Sequence, residues 1–309
     1  MYGKNAIASV GFIAENVLNL QISYAQELDV SRTGYLVTDG VMGFNLAGYA
    51  GKAPDCMLGA LMNQKYISQP MLGIYLSSTS GDNNSEIVFG SFDEKMVRFE
   101  DILWNNTLIT NTWSVGVSKF QIGSTPIVGS YNGIISGRPY IGLPQNSILY
   151  LTFEQVLLKT QQCQINLDPY GAFVCESSQP LTNLPNITMN VAVGNLTISI
   201  PPSSYIYDMG NGVYKMAVIP VYGDDVILGT PFMSRVYTVL DYGSMEIGMV
   251  RIEDMQTAKS KIAFIVTFSV IGGVTLIVII VLAIYCIKHR KKDTSTTTAE
   301  ESFEVDTKN

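Results

Sequence analysis

The chain has 309 residues, of which 47% are hydrophobic and only 15% charged, with a formal net charge of −7 at pH 7. This length supports one large domain or two lobes with a sizeable core, while an acidic, charge-poor chain is a poor electrostatic match for nucleic acid. The one histidine, His289, lies near the C-terminus, which excludes serine–histidine and cysteine–histidine catalysis and His-based zinc sites from the rest of the chain.

Short runs rich in Val, Ile, Tyr and Thr recur through residues 6–250 and are separated by clusters of Gly, Asn, Asp and Ser. Such runs predict β-strands, and the Asp-Tyr-Gly-Ser sequence at 241–244 predicts a hairpin within 237–251. Helical patterns are short, at 57–63, 153–159 and 232–235. Because helices and strands do not alternate regularly, the sequence predicts an all-β, antiparallel class.

Residues 262–287 contain no charged side chain and predict a transmembrane helix, because a spanning helix needs about 20 apolar residues. A buried core helix is the alternative, but it rarely runs this long without a polar face. The basic run at 288–292 is the denser positive flank, which stays cytoplasmic. We expect a single-pass type I membrane protein with a juxtamembrane linker at 253–261 and a cytoplasmic tail at 288–309. Its body then faces the cell exterior or an endolysosomal or vacuolar lumen.

Two features of the body fit that location. Cys163 and Cys175 are close enough in sequence to form a disulfide in an oxidising compartment. Cys56 then either pairs with an upstream cysteine or stays a buried free thiol. Residues 1–20 lack the basic and apolar regions of a signal peptide, so we expect the true start to lie upstream. The body also has Asn-x-Ser/Thr glycosylation motifs, which the tail lacks, at Asn83, Asn105, Asn186 and Asn195.

Six short segments occur once each, in a fixed order, within residues 2–251. Three lie in the first hundred residues: DGVMGF at 39–44, ISQPMLGIYLS at 67–77 and IVFG at 87–90. Three lie later: LPNI at 184–187, IPPSSYI at 200–206 and ILGTPF at 227–232, the last followed by Val239, Asp241 and Gly248. In order and spacing these segments resemble the landmarks of the pepsin-like (A1 family) aspartic proteases.

The resemblance implies a bilobal antiparallel β fold without a metal or other cofactor. Residues 1–100 correspond to a partial first lobe and residues 101–252 to a complete second lobe. In the family a hydrophobic-hydrophobic-Gly triplet crosses behind each catalytic loop, where only Gly lets the backbones approach closely. The triplets here are Val41-Met42-Gly43 and Ile227-Leu228-Gly229.

The resemblance fails at the catalytic positions. Family members cut peptides with two aspartates, one in a DTG or DSG of each lobe, which share one proton because two such close charges cannot both ionise. Counting back from residues 143–144 places an isoleucine where the second aspartate belongs, and Arg138 and Pro139 replace small hydroxyl residues after it. No Asp occurs from 102 to 167, and no DTG or DSG occurs in the chain. The second-lobe loop therefore reads Ile135, Ser136, Gly137.

Tyr2-Gly3 resembles the Tyr-Gly of the family's flap, with residues 17–20 as the strand after it; a frayed terminus is the alternative. The first-lobe aspartate would precede Tyr2 and is absent from this chain. We therefore expect no catalytic residue.

The predicted function is that of a membrane-anchored pepsin-like homologue, inactive as written. It is a pseudoprotease that binds an extended peptide or protein, a decoy, or a nonfunctional fragment. One alternative is an aspartic endopeptidase whose aspartates are lost by truncation or sequence error. Another is an unrelated type I β-rich adhesin or receptor, which would need repeating modules of ~100 residues.

Overall fold

The computed structural model describes much of the chain before Met255 and one residue after it. The chain divides into two compact units, Met1–Met255 and Gln256–Asn309. The described residues are 3–12, 16–25, 43–46, 57–77, 84–109, 111–159, 164–167, 172–176, 181, 184–255 and 284.

The predicted membrane span at 262–287 lies outside the described residues, apart from Ile284. Among the residues that are described, no helix combines the length and the apolar character needed to cross a bilayer. The membrane anchor therefore stays a prediction from the sequence.

Strands dominate the first unit, as the sequence predicts. The strands are β1 (Gly3–Phe12), β2 (Asn16–Ala25), β3 (Met71–Tyr75), β4 (Glu86–Phe89), β5 (Leu103–Asn106), β6 (Ser114–Ile122), β7 (Thr125–Ile135), β8 (Ile141–Pro144), β9 (Gln164–Leu167), β10 (Phe173–Glu176), β11 (Ile187–Val191), β12 (Leu196–Ile200), β13 (Ile206–Asp208), β14 (Val213–Met216), β15 (Val218–Val221), β16 (Val226–Leu228), β17 (Val236–Asp241) and β18 (Glu246–Arg251).

The helices are short, and the longest begins before its predicted start. They are α1 (Met57–Asn63), α2 (Ile148–Lys159), α3 (Pro202–Tyr205) and α4 (Thr230–Met233), with 3-10 turns at Phe99–Asp101 and Val193–Asn195. Helix α2 begins at Ile148 rather than at 153 because Ser147 caps it. The Ser147 Oγ accepts a hydrogen bond from the Tyr150 N–H at 3.3 Å, which is the usual role of an N-cap serine.

A five-stranded sheet joins the two halves of the sequence. Its strand order is β4-β3-β17-β18-β5, and every pair in it is antiparallel. The hairpin β17–β18 forms at the predicted turn, where the Asp241 Oδ1 accepts the Gly243 N–H at 2.8 Å. Because β3 and β17 pair directly, strands from both predicted lobes share one sheet. The lobe boundary at residue 100 stays a prediction.

A seven-stranded sheet forms most of the later half of the unit, in the order β12-β11-β6-β7-β16-β8-β15. It departs from the predicted antiparallel pattern in two places, because β16 pairs parallel to β7 and β15 pairs parallel to β8. Smaller sheets pair β1 with β2 and join β13, β14, β10 and β9. The parallel pair β7–β16 is the part of the fold that positions the candidate site.

The main core packs beneath this sheet and includes a cluster of aromatic rings. The ring of Phe153 on α2 lies 6.0 Å from those of Phe173 and Tyr205, and all three side chains are fully buried. The Tyr205 hydroxyl donates to the Pro185 carbonyl at 2.5 Å. Burial raises the pKa of Tyr205 well above its usual value, because the phenolate form would lose its hydration.

Candidate functional site

Three strand ends meet at one backbone crossing in the seven-stranded sheet. Leu228, the last residue of β16, pairs in parallel with Ile135 and antiparallel with Ile141. The next residue after Ile135, Ser136, donates its N–H to the Leu228 carbonyl at 3.1 Å. Residues 135–138, which we call the crossing loop, therefore leave the sheet against the end of β16.

Gly229 makes the close approach possible. A Cβ atom at this position would lie 2.0 Å from the Tyr140 carbonyl oxygen and 2.3 Å from that of Arg138. No real Cβ contact is this short, so the backbone of residues 138–140 can cross here only because residue 229 lacks a side chain. The triplet Ile227-Leu228-Gly229 thus packs directly behind the crossing loop.

The crossing loop has no ionisable acid. Ile135 is half-buried and packs against the main core, while Gly137 and Arg138 are exposed. The Ile135 N–H donates to the Trp113 carbonyl at 2.8 Å, so its backbone is held on the side opposite β16. The side chain in the centre of the crossing is therefore a hydrocarbon.

Trp113 also connects this loop to residues 43–46. Its indole N–H donates to the Phe44 carbonyl at 2.9 Å, and the same carbonyl accepts the Tyr242 hydroxyl at 2.7 Å. The Trp113 and Tyr242 rings meet edge to face at 4.8 Å and both are buried. Gly43, beside Phe44, is exposed and has no atom within 4 Å of a Cβ position. Trp113 thus connects the two segments, because its indole bonds to Phe44 and its carbonyl accepts the N–H of Ile135 in the crossing loop.

A groove of about 540 Å³ opens near the other end of β16. It is lined by parts of residues 130–132, 144–147 and 221–225, which include Asp224 and Asp225. The Asn132 Nδ2 donates to the Asp225 Oδ1 at 3.1 Å. Asp225 precedes Leu228 by three residues, about 10 Å of extended strand, so its carboxylate lies too far along β16 to replace an acid at position 135.

Comparison with known proteins decides the family. The sequence profile described as eukaryotic aspartyl protease matches residues 1–252. The chain belongs to the eukaryotic aspartyl protease family. Human (Homo sapiens) gastricsin is 26% identical over 267 residues, a match that covers 80% of this chain and 64% of gastricsin. Cathepsin E of Mus musculus is 24% identical over 224 residues, which cover 68% of this chain and 53% of cathepsin E.

The chain thus spans less than two thirds of the length of these relatives. Membership of the aspartyl protease family removes the alternative of an unrelated adhesin or receptor. The mostly β architecture is consistent with the pepsin-like fold that the sequence motifs indicate.

The sequence motifs of the second half lie on or beside regular elements of the structure. The LPNI segment leads into β11, and the IPPSSYI segment ends β12 and forms α3. The ILGTPF segment forms β16 and α4 with Gly229 between them. Sequence reasoning missed Trp113 and Tyr242, although Trp113 is one of only two tryptophans in the chain and directly precedes a strand.

Other predicted residues lie partly outside the described ranges. Tyr2, Val41 and Met42 are not described, and Gly3 is the first residue of β1. The flap and the first-lobe triplet therefore stay predictions. Within the described residues, no group of three His, Cys, Asp or Glu side chains is placed to hold a metal ion.

Cys175 is buried on β10 and is disulfide-bonded, while Cys163 and Cys56 lie outside the described residues. The register pairs Cys175 with Ile165, two positions after Cys163. This placement is compatible with the predicted pair, which stays a prediction.

The predicted glycosylation sites differ in exposure. Asn186 and Asn195 are exposed, Asn105 on β5 is half-buried, and Asn83 lies outside the described residues.

Proposed function

We propose that this chain is a membrane-anchored aspartyl protease homologue that binds extended peptides and does not hydrolyse them. The observation that carries the proposal is the hydrocarbon side chain of Ile135 at the centre of the crossing, followed by Ser136 and Gly137. In the family's mechanism, one carboxylate takes a proton from water while its partner protonates or hydrogen-bonds the scissile carbonyl. An isoleucine can do neither.

A shift of the loop along the sheet does not restore an acid. The Ile135 N–H bonds to Trp113 on one side, and the Ser136 N–H bonds to Leu228 on the other. These two hydrogen bonds fix the register of the loop. Since no Asp occurs between 102 and 167, no neighbouring residue can supply the carboxylate from this segment.

Peptide binding is supported by the backbone of the crossing loop. The C=O of Ser136 and both backbone groups of Gly137 make no hydrogen bond with any part of the chain that the structure describes. Gly137 is exposed and has no atom within 4 Å of a Cβ position. An extended peptide gains affinity by pairing its main chain with such open backbone groups, and its side chains then determine specificity.

Retention of intact peptides tests the proposal. The full chain, purified in detergent micelles and immobilised, is incubated at about pH 4–6 with a mixed library of decapeptides, and bound peptides are identified by mass spectrometry. We expect a subset to be retained uncut and to be displaced by a transition-state-analogue inhibitor of pepsin-like enzymes. Cleaved products that disappear with the inhibitor, or no retained peptide at all, would contradict the proposal.

Anchoring by residues 262–287, with residues 288–309 in the cytoplasm, is part of the same proposal. It is supported by the uncharged 262–287 segment and the basic run that follows it. In intact cells, a protease added outside should leave an epitope at the C-terminus protected. A new glycosylation motif in the tail should stay unmodified while Asn186 or Asn195 gains a sugar. Sugar on the tail would refute this orientation.

An active endopeptidase remains the second candidate, because the relatives are named gastricsin and cathepsin E. This candidate requires an aspartate at position 135 and a second DTG or DSG upstream of the given sequence, because the proton-sharing pair needs two carboxylates. Sequencing of the messenger RNA separates the two candidates: isoleucine at codon 135 supports the pseudoprotease, and aspartate there together with an upstream DTG or DSG supports the enzyme.

A further inference from the structure

Arg138 is held in one place by the crossing itself. Its carbonyl accepts the Thr230 N–H at 2.8 Å, and its N–H donates to the Ser136 Oγ at 3.4 Å. The next carbonyl, that of Pro139, accepts the Tyr207 hydroxyl at 3.2 Å. The backbone that presents the Arg138 side chain is therefore held by two other elements, α4 and β13, and by Ser136 of the same loop.

The guanidinium of Arg138 is also oriented. Its Nη1 donates to the Tyr140 hydroxyl at 2.6 Å, and its central carbon lies 5.7 Å from the centre of the Tyr140 ring. Of the five N–H donors of an arginine, this contact uses one. The side chain is exposed, so the remaining donors can reach a ligand beside the loop.

Arg138 differs from the other arginines whose structure is described. Arg98, Arg235 and Arg251 each form an ion pair with a carboxylate, at 2.9, 2.5 and 2.7 Å respectively. No carboxylate among the described residues lies within ion-pair distance of Arg138. In a chain with a net charge of −7, this cation lies on the crossing loop and forms no ion pair with a described carboxylate.

We propose that Arg138 makes the crossing loop a binding site for peptides that carry a carboxylate next to their extended backbone. This inference rests on the proposed peptide binding and names the class of peptide. An arginine binds a carboxylate through two parallel hydrogen bonds, and Tyr140 reduces the cost of ordering the guanidinium. With Ile135 in place of an acid, the loop also lacks the negative charge that would repel such a ligand.

The source of the carboxylate is either an acidic side chain or the C-terminus of the peptide. Fluorescent Ala/Val decapeptides with one Glu or one Gln at each position, with free or amidated C-termini, distinguish these sources. Binding to the full chain in detergent micelles is followed by fluorescence anisotropy at pH 6. We expect one Glu position, or the free C-terminus, to strengthen binding by about tenfold over its neutral counterpart, the usual range for a charge-assisted hydrogen bond.

Two variants and one matched control test whether Arg138 is responsible. Arg138→Gln should reduce the preference for the charged peptide to about onefold, and Tyr140→Phe should reduce it partially because the ring stays and only the hydroxyl is lost. Arg98→Gln removes the same charge from an exposed arginine that is already paired, so the preference should persist. The preference in the unmodified chain should also decline as the pH falls towards about 3, because the peptide carboxyl becomes protonated over this range.

Equal binding of charged and neutral peptides by the unmodified chain would overturn this inference and leave peptide binding intact. A preference that survives Arg138→Gln, or is lost equally in Arg98→Gln, would overturn the assignment to Arg138. Absence of binding by every peptide would overturn the proposed function and this inference together.

Discussion

Gly229 and Gly137 lie within one backbone crossing but differ in what surrounds them. A Cβ atom at Gly229 would lie too close to two carbonyl oxygens for any residue with a side chain to fit. A Cβ atom at Gly137 would have no atom within 4 Å. The first glycine belongs to the scaffold that supports the crossing loop, and the second belongs to the loop itself. The comparison shows that a close backbone approach at Gly229 supports a loop whose own residues, Ile135 to Arg138, include no acid.

The largest expected effect comes from adding one methyl group to each glycine. Gly229→Ala should destabilise the fold by more than about 4 kcal/mol, because the clash is with backbone that cannot rotate away. Gly137→Ala should stay within about 0.5 kcal/mol, as is usual for exposed positions. Urea unfolding of the full chain in detergent, followed by tryptophan fluorescence, measures both. Similar losses in the two variants would show that the scaffold and the loop are not distinct.

The disulfide of Cys175 should stabilise the scaffold away from the crossing. If its partner is Cys163, the closed loop is short and replacing both residues by alanine should cost about 3 kcal/mol. Peptide mapping without reduction should find these two cysteines linked. A link from Cys175 to Cys56 or Cys286 would contradict the predicted pair.

Substituting each of the two tryptophans compares the stability contributed at the crossing with that contributed elsewhere in the unit. Trp113→Phe removes a hydrogen bond to the Phe44 carbonyl, whereas the Trp104 Nε1 is buried without a partner among the described residues. Both changes remove the same volume, but Trp113 is buried and Trp104 is half-buried, so Trp113→Phe should cost at least about 1 kcal/mol more than Trp104→Phe. Thermal unfolding of the two variants side by side gives this difference, and equal costs would mean that the link to Phe44 contributes nothing.

The buried hydroxyl of Tyr205 should make the stability of the core depend on pH. Its raised pKa means that the folded chain keeps the proton at a pH where the unfolded chain loses it, so stability is fully present below about pH 10 and falls as pH rises further. Tyr205→Phe should cost about 1 kcal/mol at pH 8, because the Pro185 carbonyl loses its donor, and should weaken the alkaline decline. Urea midpoints between pH 8 and 11 measure both effects. An unchanged alkaline slope in the variant would remove Tyr205 as its source.

The sequence predicts local features of this molecule better than long-range ones. The hairpin at 237–251 is predictable because its turn residues and alternating strands are adjacent in the chain. The parallel pairing of β16 with β7 joins residues about ninety positions apart, and no local pattern determines it. The early start of α2 was missed because Ile148–Tyr150 resembles a strand until the cap at Ser147 is considered.

The candidate site follows the same rule. Motif spacing leads to Ile135 and Gly229, since both lie in short segments with a fixed relation to their neighbours. It does not lead to Trp113 and Tyr242. Both donate to the Phe44 carbonyl, and the three residues lie far apart in the sequence. Nor does it reveal that Arg138 is oriented by Tyr140, because that contact depends on how the loop leaves the sheet.

Hydrolysis by the 309-residue chain tests the central claim most directly. The full chain in detergent micelles is incubated with a broad peptide library between about pH 3 and 6, with and without a transition-state-analogue inhibitor, beside an active pepsin-like enzyme as positive control. We expect no inhibitor-sensitive turnover from the unmodified chain. Ile135→Asp should also be inactive, because it creates one Asp-Ser-Gly and the 309 residues contain no other DTG or DSG to supply the second carboxylate. Inhibitor-sensitive cleavage by the unmodified chain would contradict the assignment of Ile135 to the catalytic position.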